Sequence, residues 1–303
     1  MKTCLVTYDT PEWAFHGECL DMQWFVSRRY AGLLEATSMP ARDAGNGSGF
    51  DGVYSSAWYD TRLMDHPRAA SQLSSFSYWM DCQKAKDRAH LLKRWRWLGT
   101  KNLALHERLT VEDHPSPRLL YHQICPDRWP HQEPPLVGDK FIVGFAGHRQ
   151  HTKGIGIIEE AVARIPNVEL RTVEWGKGRI QQREMSNWYH GLHAYICASA
   201  QEGGPRTGLE AMLSGAPLIT TRVGQVGEMV AAKWEALVIE RTVDSIEAAI
   251  VMLMAGQDMG RRLSFGARQL AYSWAMRWGN AWADFLAEVV GVDMREIEDR
   301  QKL

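Results

Sequence analysis

The pattern of hydrophobic and polar residues is clearest in the second half of the chain. From residue 141 onwards, short runs rich in Val, Ile, Phe and Ala alternate with segments whose apolar residues recur three and four positions apart. The first pattern predicts buried strands and the second predicts amphipathic helices. Such alternation builds βαβ units, which form a mostly parallel sheet with helices on both faces. The predicted strands are 141–146, 168–173, 194–198 and 217–221, and the predicted helices are 155–165, 184–192, 207–214, 243–255 and 261–290.

The first half of the chain has a weaker pattern of the same kind. Together the two halves predict an α/β protein made of two Rossmann-like domains with parallel sheets. The elements predicted in the first half are strands at 3–8, 52–56 and 118–124, helices at 17–34 and 83–98, and loops at 41–52 and 111–117.

Four prolines between the two halves mark the predicted domain boundary: Pro126, Pro130, Pro134 and Pro135. Because proline lacks a backbone donor and restricts the residue before it, this segment is predicted to be an extended linker. We therefore predict one domain at 1–137 and a second at 138–303. Open parallel sheets bind ligands at the carboxyl ends of their strands, so we expect a functional site in the loops that follow predicted strands.

Composition and charge exclude several classes of protein. The chain has 303 residues, of which 45% are hydrophobic and 23% charged, as is usual for a globular protein with a buried core. The net charge of -1 gives no overall preference for nucleic acid or an acidic membrane. Five scattered cysteines without a CxxC pair indicate neither a disulfide framework nor a zinc site. No stretch has the layout of a signal peptide or the ~20 apolar residues of a membrane span, so we expect a cytoplasmic protein.

The most informative motif lies between residues 199 and 217. Two carboxylates, Glu202 and Glu210, flank the sequence Gly203-Gly204-Pro205, which precedes a predicted helix. Helix N-termini present unpaired amides that suit phosphate, and glycine lets a ligand approach the backbone closely. A carboxylate on either side can accept hydrogen bonds from the hydroxyls of a sugar or a ribose. The alternative interpretation is an ordinary helix cap with glutamates on a solvated face.

A second motif spans residues 143–161 and combines a strand, a glycine turn, a basic loop and a helix. A single glycine turn such as that at Gly147 is weak evidence, because many α/β proteins have one. Arg149 and Lys153 add positive charge that can neutralise a diphosphate, with arginine acting as a fork and lysine as a point charge. The alternative is a basic loop that is simply solvated.

The first motif resembles a family signature. The pattern E-G-G-P-x-x-x-L-E-A-M-x-x-G-x-P at 202–217 is similar to that of family-4-type retaining glycosyltransferases with the GT-B fold. In that family the first Glu contacts the donor sugar, the second binds the ribose, and the intervening amides hold sugar and phosphate. The resemblance implies these donor-site residues: Glu202, Gly203, Gly204, Pro205, Arg206, Thr207 and Glu210.

The second motif resembles the G-R-x-x-x-x-K-G segment of the same family, whose Arg and Lys stabilise the leaving diphosphate. Lys153 matches the Lys, but the Arg position holds His148, and Arg149 follows one residue later. The resemblance therefore leaves open whether His148, Arg149 or both contact the phosphate. Weaker similarities at 221–228 and 272–274 extend the resemblance to about residues 139–285.

The chemistry of glycosyl transfer indicates what the remaining residues must do. The transition state is oxocarbenium-like, so negative charge on the departing diphosphate must be stabilised. The cationic side chains and helix amides can do this, and the resemblance implies that neither a metal nor another cofactor is required. His16, in the predicted loop after the first strand, is a candidate proton acceptor or acceptor-binding group. A structural histidine is the alternative. The candidate catalytic residues are thus Glu202, Arg149, Lys153 and His16.

A basic segment at 83–101 is a candidate acceptor surface. Its predicted helix places Leu91, Trp95 and Leu98 on one face and basic residues around them. The charges can be simply solvated, can follow a nucleic-acid backbone with a Trp available for stacking, or can contact an anionic membrane. The candidate acceptor-binding residues are Lys93, Arg94, Trp95 and Arg96.

The sequence therefore predicts a retaining glycosyltransferase that moves a hexose-type sugar from a nucleotide-diphosphate donor, with a UDP-sugar favoured by the resemblance. The favoured acceptor is a hydroxymethylated DNA base, as in bacteriophage DNA glycosyltransferases, which would act in the host cytoplasm. A cell-envelope glycan or lipid acceptor is the alternative. Two functions of other classes also remain: a nucleotide-sugar epimerase, and a binding protein that keeps the sugar-nucleotide site without catalysis.

Overall fold

The computed structural model describes residues 1–9, 14–57, 59–73, 85–109, 114–174, 180–230 and 234–293. The chain forms two compact units. The first contains Met1–Cys125 and Met276–Leu303, and the second contains Pro126–Ala275. The proline-rich segment that we predicted to link two domains lies within the second unit. The end of the last helix, which we predicted to belong to the second domain, lies in the first unit.

In the first unit, the described residues form six parallel strands in the order β2-β1-β3-β4-β5-β6. All-parallel sheets are covered on both faces, so their strands are largely buried. The strands are β1 (Lys2–Tyr8), β2 (Leu34–Pro40), β3 (Gly52–Ser55), β4 (Ala69–Leu73), β5 (Trp97–Thr100) and β6 (Pro117–Leu119). The helices are α1 (Ala14–Arg29), α2 (Ala85–Arg94) and α3 (Leu103–Arg108).

Several boundaries in this unit differ from the prediction. Helix α1 ends at Arg29, and Leu34 begins β2, because this segment pairs in parallel with β1 along its whole length. The helix predicted at 83–98 ends at Arg94, so Leu98 lies in β5; positions 83 and 84 fall outside the described residues, as do 111–113 of a predicted loop. The strand predicted at 118–124 is confined to β6, Pro117–Leu119.

The second unit contains a parallel sheet in the order β11-β10-β9-β7-β8. All the strands and helices predicted after residue 141 are present within a few residues, so the predicted alternation is confirmed. The strands are β7 (Phe141–Gly147), β8 (Val168–Glu174), β9 (Ala194–Cys197), β10 (Leu218–Thr220) and β11 (Leu237–Val238). The helices are α4 (Ile155–Ala163), α5 (Met185–His190), α6 (Arg206–Ser214), α7 (Gly224–Met229), α8 (Val243–Ala255) and α9 (Gln257–Val290).

Helix α9 has 34 residues and contributes to both units. Its C-terminal part packs into the core of the first unit, where Trp282 and Phe285 are buried beside Phe25 and Tyr54. Gly279 permits this packing, because a Cβ at that position would lie 2.0 Å from the ring of Phe25. The segment 272–274, one of the weaker similarities to the family, lies in the interior of α9. Among the described residues, no helix has the length and apolar character that a membrane crossing requires.

Candidate functional site

The candidate site of the second unit lies at the carboxyl ends of three adjacent strands, β7, β9 and β10. Hydrogen bonds join the loops that follow these strands. The amide of Ala200 donates to the carbonyl of Thr152 at 2.8 Å, and the hydroxyl of Thr221 donates to the carbonyl of Ser199 at 2.7 Å. The loops therefore form one connected surface where an open parallel sheet binds its ligands.

Two glycines allow these loops to approach one another closely. Gly154 has φ +77° and is the N-cap residue of α4, and a Cβ there would lie 2.3 Å from the carbonyl oxygen of Ala198. Gly224 has φ +49°, and a Cβ there would lie 2.6 Å from the carbonyl oxygen of Gly203. Any other residue at these positions would strain the backbone and separate the loops.

The structure brings Lys153 and Glu202 into direct contact. The Nζ atom of Lys153 lies 2.5 Å from Oε1 of Glu202, and the hydroxyl of Ser199 donates to the same oxygen at 2.8 Å. The side chain of Lys153 is 28% exposed and that of Glu202 is 13% exposed. Two residues predicted from separate motifs thus form one partly buried ion pair at the carboxyl edge of the sheet.

Glu210 is buried in α6 and takes part in a polar network. Its Oε1 accepts a hydrogen bond from Nε of Arg206 at 3.1 Å, and its Oε2 accepts one from the hydroxyl of Tyr189 at 3.1 Å. Burial, reinforced by the charge of Glu210, raises the pKa of Tyr189 well above its usual value, so Tyr189 remains a donor. The neighbouring Thr207 hydrogen bonds to Tyr195. Both carboxylate oxygens of Glu210 therefore accept hydrogen bonds within the unit, which fixes the orientation of its side chain.

Gly147, His148 and Arg149 follow β7. Arg149 makes a fork with two carboxylates: its Nη2 lies 2.5 Å from Glu159 and 3.1 Å from Glu174. Burial, and then the positive charge of Lys153, lower the pKa of His148, which favours the neutral form of its ring. Arg149 is therefore held by carboxylates of its own unit, whereas His148 is a hydrogen-bonding ring within the field of Lys153.

Arg241 is a functional candidate that the sequence motifs did not indicate. Its Nε donates to the carbonyl of Ala198 at 3.1 Å, and its Nη2 donates to the carbonyl of His151. These carbonyls belong to the loops after β9 and β7, which carry Glu202 and Lys153. Arg241 lies 43 residues from Ala198 and 90 from His151 in sequence, so no local pattern signals this contact.

His16 lies in the first unit, and its position differs from the predicted loop. Helix α1 begins at Ala14, so His16 lies within its first turn. Its ring stacks on Tyr8 at a centroid distance of 4.3 Å. The catalytic role proposed for His16 thus remains a prediction, now for a helical residue packed against the end of β1.

The basic segment differs from its predicted arrangement. Trp95 is 1% exposed and packs among Leu5, Val53 and other apolar residues, because the chain leaves α2 at Arg94 and enters β5. Trp95 therefore cannot stack on a nucleic-acid base, and that part of the prediction is wrong. Arg94 pairs with Asp65 at 2.6 Å, while Lys93 and Arg96 are exposed.

The first unit also contains a buried ionic cluster that the sequence did not indicate. Lys101 is fully buried, with Nζ 3.2 Å from Glu18 Oε2 and 4.8 Å from the ring of Trp282. Nδ1 of His122 lies 2.7 Å from the other oxygen of Glu18, and Gln72 donates to Oε2 at 3.0 Å. In the part of the chain that the structure describes, no group of three or more His, Cys, Asp or Glu side chains could hold a metal ion.

Comparison with known proteins connects this geometry to a fold family. Residues 159–256 match the sequence profile of the family described as "Glycosyl transferases group 1". No curated protein sequence matches the chain.

Solved structures match most of the chain. Sucrose-phosphate synthase from Thermosynechococcus elongatus has a TM-score of 0.70 at 13% identity, over 95% of this chain and 100% of that one. HepE from Anabaena, in complex with UDP and glucose, has a TM-score of 0.71 at 12% identity, over 95% of this chain and 100% of that one. A glycosyltransferase from Rickettsia africae has a TM-score of 0.65 at 11% identity, over 96% and 99%. The chain therefore has the α/β fold of GT-B glycosyltransferases, and its residues 159–256 carry the sequence pattern of the group 1 glycosyl transferases.

Proposed function

We propose that the protein is a glycosyltransferase that moves a hexose-type sugar from a UDP-sugar to an acceptor hydroxyl, with retention of configuration. The observation that carries the proposal is the contact between Lys153 and Glu202 at the carboxyl edge of the second sheet. A cation suited to a diphosphate and a carboxylate suited to sugar hydroxyls lie side by side, next to the Gly203-Gly204 turn.

Each side chain of the candidate site has a separate role in the proposed transfer. When the bond from the sugar to the diphosphate breaks, the diphosphate keeps the bonding electrons, and Lys153 and the ring of His148 stabilise the added charge. Glu202 accepts hydrogen bonds from the sugar, and Glu210, preorganised by Arg206 and Tyr189, accepts them from the ribose. Arg149 pairs with Glu159 and Glu174, whose negative charges offset its own, so it serves to hold the loop after β7 against α4 and β8.

Two observations support the finer features of the proposal. The HepE structures contain UDP with glucose or UDP-glucose, which supports a uridine nucleotide as the donor. The pattern at 202–217 resembles that of retaining enzymes, which supports retention.

The acceptor proposed from the sequence is a hydroxymethylated DNA base, with a bacteriophage enzyme acting in the host cytoplasm. Exposed Lys93 and Arg96 support contact with an anionic backbone, whereas burial of Trp95 removes the stacking platform. A glycan or lipid acceptor needs neither feature. The two acceptors therefore have to be separated by experiment.

The test is release of free nucleotide from UDP-, GDP- and ADP-sugars, with and without DNA that carries hydroxymethylated pyrimidines. We expect UDP release, and stimulation by DNA would identify the acceptor. Charge reversal by Lys93→Glu with Arg96→Glu should then remove the stimulation. If the rate of nucleotide release is the same with and without DNA, the acceptor has to be sought among glycans and lipids. Conversion of the donor without a new glycosidic bond would show an epimerase, and binding without turnover would show a non-catalytic protein.

Loss of Arg241 should weaken donor binding without unfolding the protein. In Arg241→Gln the two bonds to the loops after β7 and β9 are lost, so Lys153 and Glu202 are held less firmly. We expect the Kd for UDP to rise about tenfold, equivalent to roughly 1.4 kcal/mol. Calorimetric titration measures this, and Arg171→Gln, which removes an exposed pair with Glu169, is the matched control. Equal UDP affinity in wild type and Arg241→Gln would remove the positioning role.

A further inference from the structure

The Lys153–Glu202 pair has a property that goes beyond binding a donor. Glu202 forms an ion pair with Lys153 and accepts a hydrogen bond from the hydroxyl of Ser199. Both side chains are mostly buried, at 28% and 13% exposure. Each charge is therefore compensated mainly by the other, and removal of one partner leaves the second in a poorly solvated position.

A nucleotide sugar can replace both halves of this pair at once. Its diphosphate attracts Lys153, and its sugar hydroxyls can donate hydrogen bonds to Glu202. The hydroxyls thus take the place of Lys153 as the partners of Glu202. A bare nucleotide diphosphate can replace only one half. When Lys153 turns to the phosphate of UDP, Glu202 keeps only the hydroxyl of Ser199 and lies near another negative charge. Like charges at short distance and incomplete pairing both disfavour this state.

We propose that the Lys153–Glu202 ion pair makes the donor site discriminate against bare UDP in favour of the intact UDP-sugar. The inference rests on the proposed function and assigns a second role to Glu202: besides contacting the sugar, it opposes retention of the nucleotide product. After transfer the sugar hydroxyls leave with the acceptor, Glu202 recovers Lys153, and the hold on UDP weakens. The site thus promotes product release through its own charges.

Titration of UDP and UDP-glucose into the 303-residue chain tests the inference. The wild type should bind UDP-glucose about tenfold more tightly than UDP. In both complexes Glu202 loses its contact with Lys153, but only the sugar of UDP-glucose supplies hydroxyl donors that partly replace it. Glu202→Gln keeps the shape of the side chain and removes its charge. It should bind UDP about tenfold more tightly than the wild type and lose most of the preference for UDP-glucose.

A second variant changes the UDP affinity in the opposite direction. Ser199→Ala removes the hydrogen bond that remains on Glu202 when Lys153 leaves, so UDP should bind more weakly while UDP-glucose changes less. Glu169→Gln, at an exposed carboxylate paired with Lys140 and Arg171, is the control and should change neither affinity.

The outcomes separate the inference from the proposed function. If Glu202→Gln binds UDP no more tightly than the wild type does, the ion pair does not oppose binding of the product and the inference fails. The proposed donor site still stands in that case, provided that the wild type binds UDP. If the wild type binds neither UDP nor UDP-glucose, the proposed function and the inference fail together.

Discussion

Replacement of Lys153 with alanine should lower kcat/KM for sugar transfer by about 10²–10³-fold, the usual effect of removing one group that stabilises transition-state charge. Lys153 is the cation in direct contact with Glu202, and Arg149 is already held by Glu159 and Glu174. The departing diphosphate would therefore lose its principal counter-charge in this variant. Initial rates of UDP release, measured over a range of donor concentrations, give the change in kcat/KM.

The matched control is Lys140→Ala. Lys140 directly precedes the same strand, β7, where it is 62% exposed and pairs with Glu169 at 3.4 Å. It carries the same charge but lies at the opposite end of the strand from the site, and its pair with Glu169 is exposed and contributes little to stability, so its removal should leave the rate close to that of the wild type. Equal rates in Lys153→Ala and Lys140→Ala would show that the site does not depend on this cation.

Replacement of Lys101 with methionine should destabilise the first unit by about 3–5 kcal/mol, the cost of removing one partner from a buried ion pair. Lys101 is fully buried beside Glu18, which is 1% exposed. Methionine fills a similar volume, so the effect isolates the charge rather than a cavity. Urea unfolding followed by circular dichroism measures the change in the free energy of unfolding.

Removal of both charges provides the internal control for Lys101→Met. In the double variant Glu18→Gln with Lys101→Met no charge from the pair remains, so much of the lost stability should return. Lys2→Met removes a half-exposed pair with Asp51 and should cost about 0–1 kcal/mol. A Lys101→Met protein as stable as the wild type would contradict the role of the Lys101–Glu18 pair in the stability of the first unit.

The strands and helices of the second unit could be predicted almost completely, because each is signalled by residues within its own segment of the sequence. Buried parallel strands appear as continuous apolar runs, and each is followed by a loop of recognisable composition. The candidate site residues Lys153 and Glu202 lie in two such loops, and the motifs alone singled them out as candidates. Their contact with each other could not be predicted, because it depends on the approach of Gly154 to Ala198.

The first unit was predicted less well, for identifiable reasons. Strand β4, with the sequence Ala-Ala-Ser-Gln-Leu, lacks the β-branched residues that signal a strand and is specified by burial between its neighbours. Trp95 belongs to an apparent helical pattern that tertiary packing interrupts at Arg94. Lys101 and Glu18 are 83 residues apart, so their pairing has no sequence signature.

The contribution of helix α9 to both units has a consequence for the order in which the protein forms. Trp282, Phe285, Leu286 and Val289 belong to the core of the unit that begins at Met1. A ribosome adds about 5–20 residues per second and delivers the N-terminus first, so domains usually fold in the order of synthesis. Here the N-terminal unit lacks part of its core until residues 282–289, which follow the whole second unit in sequence, have emerged. The unit whose synthesis starts first is therefore completed only after the second unit has all of its own residues.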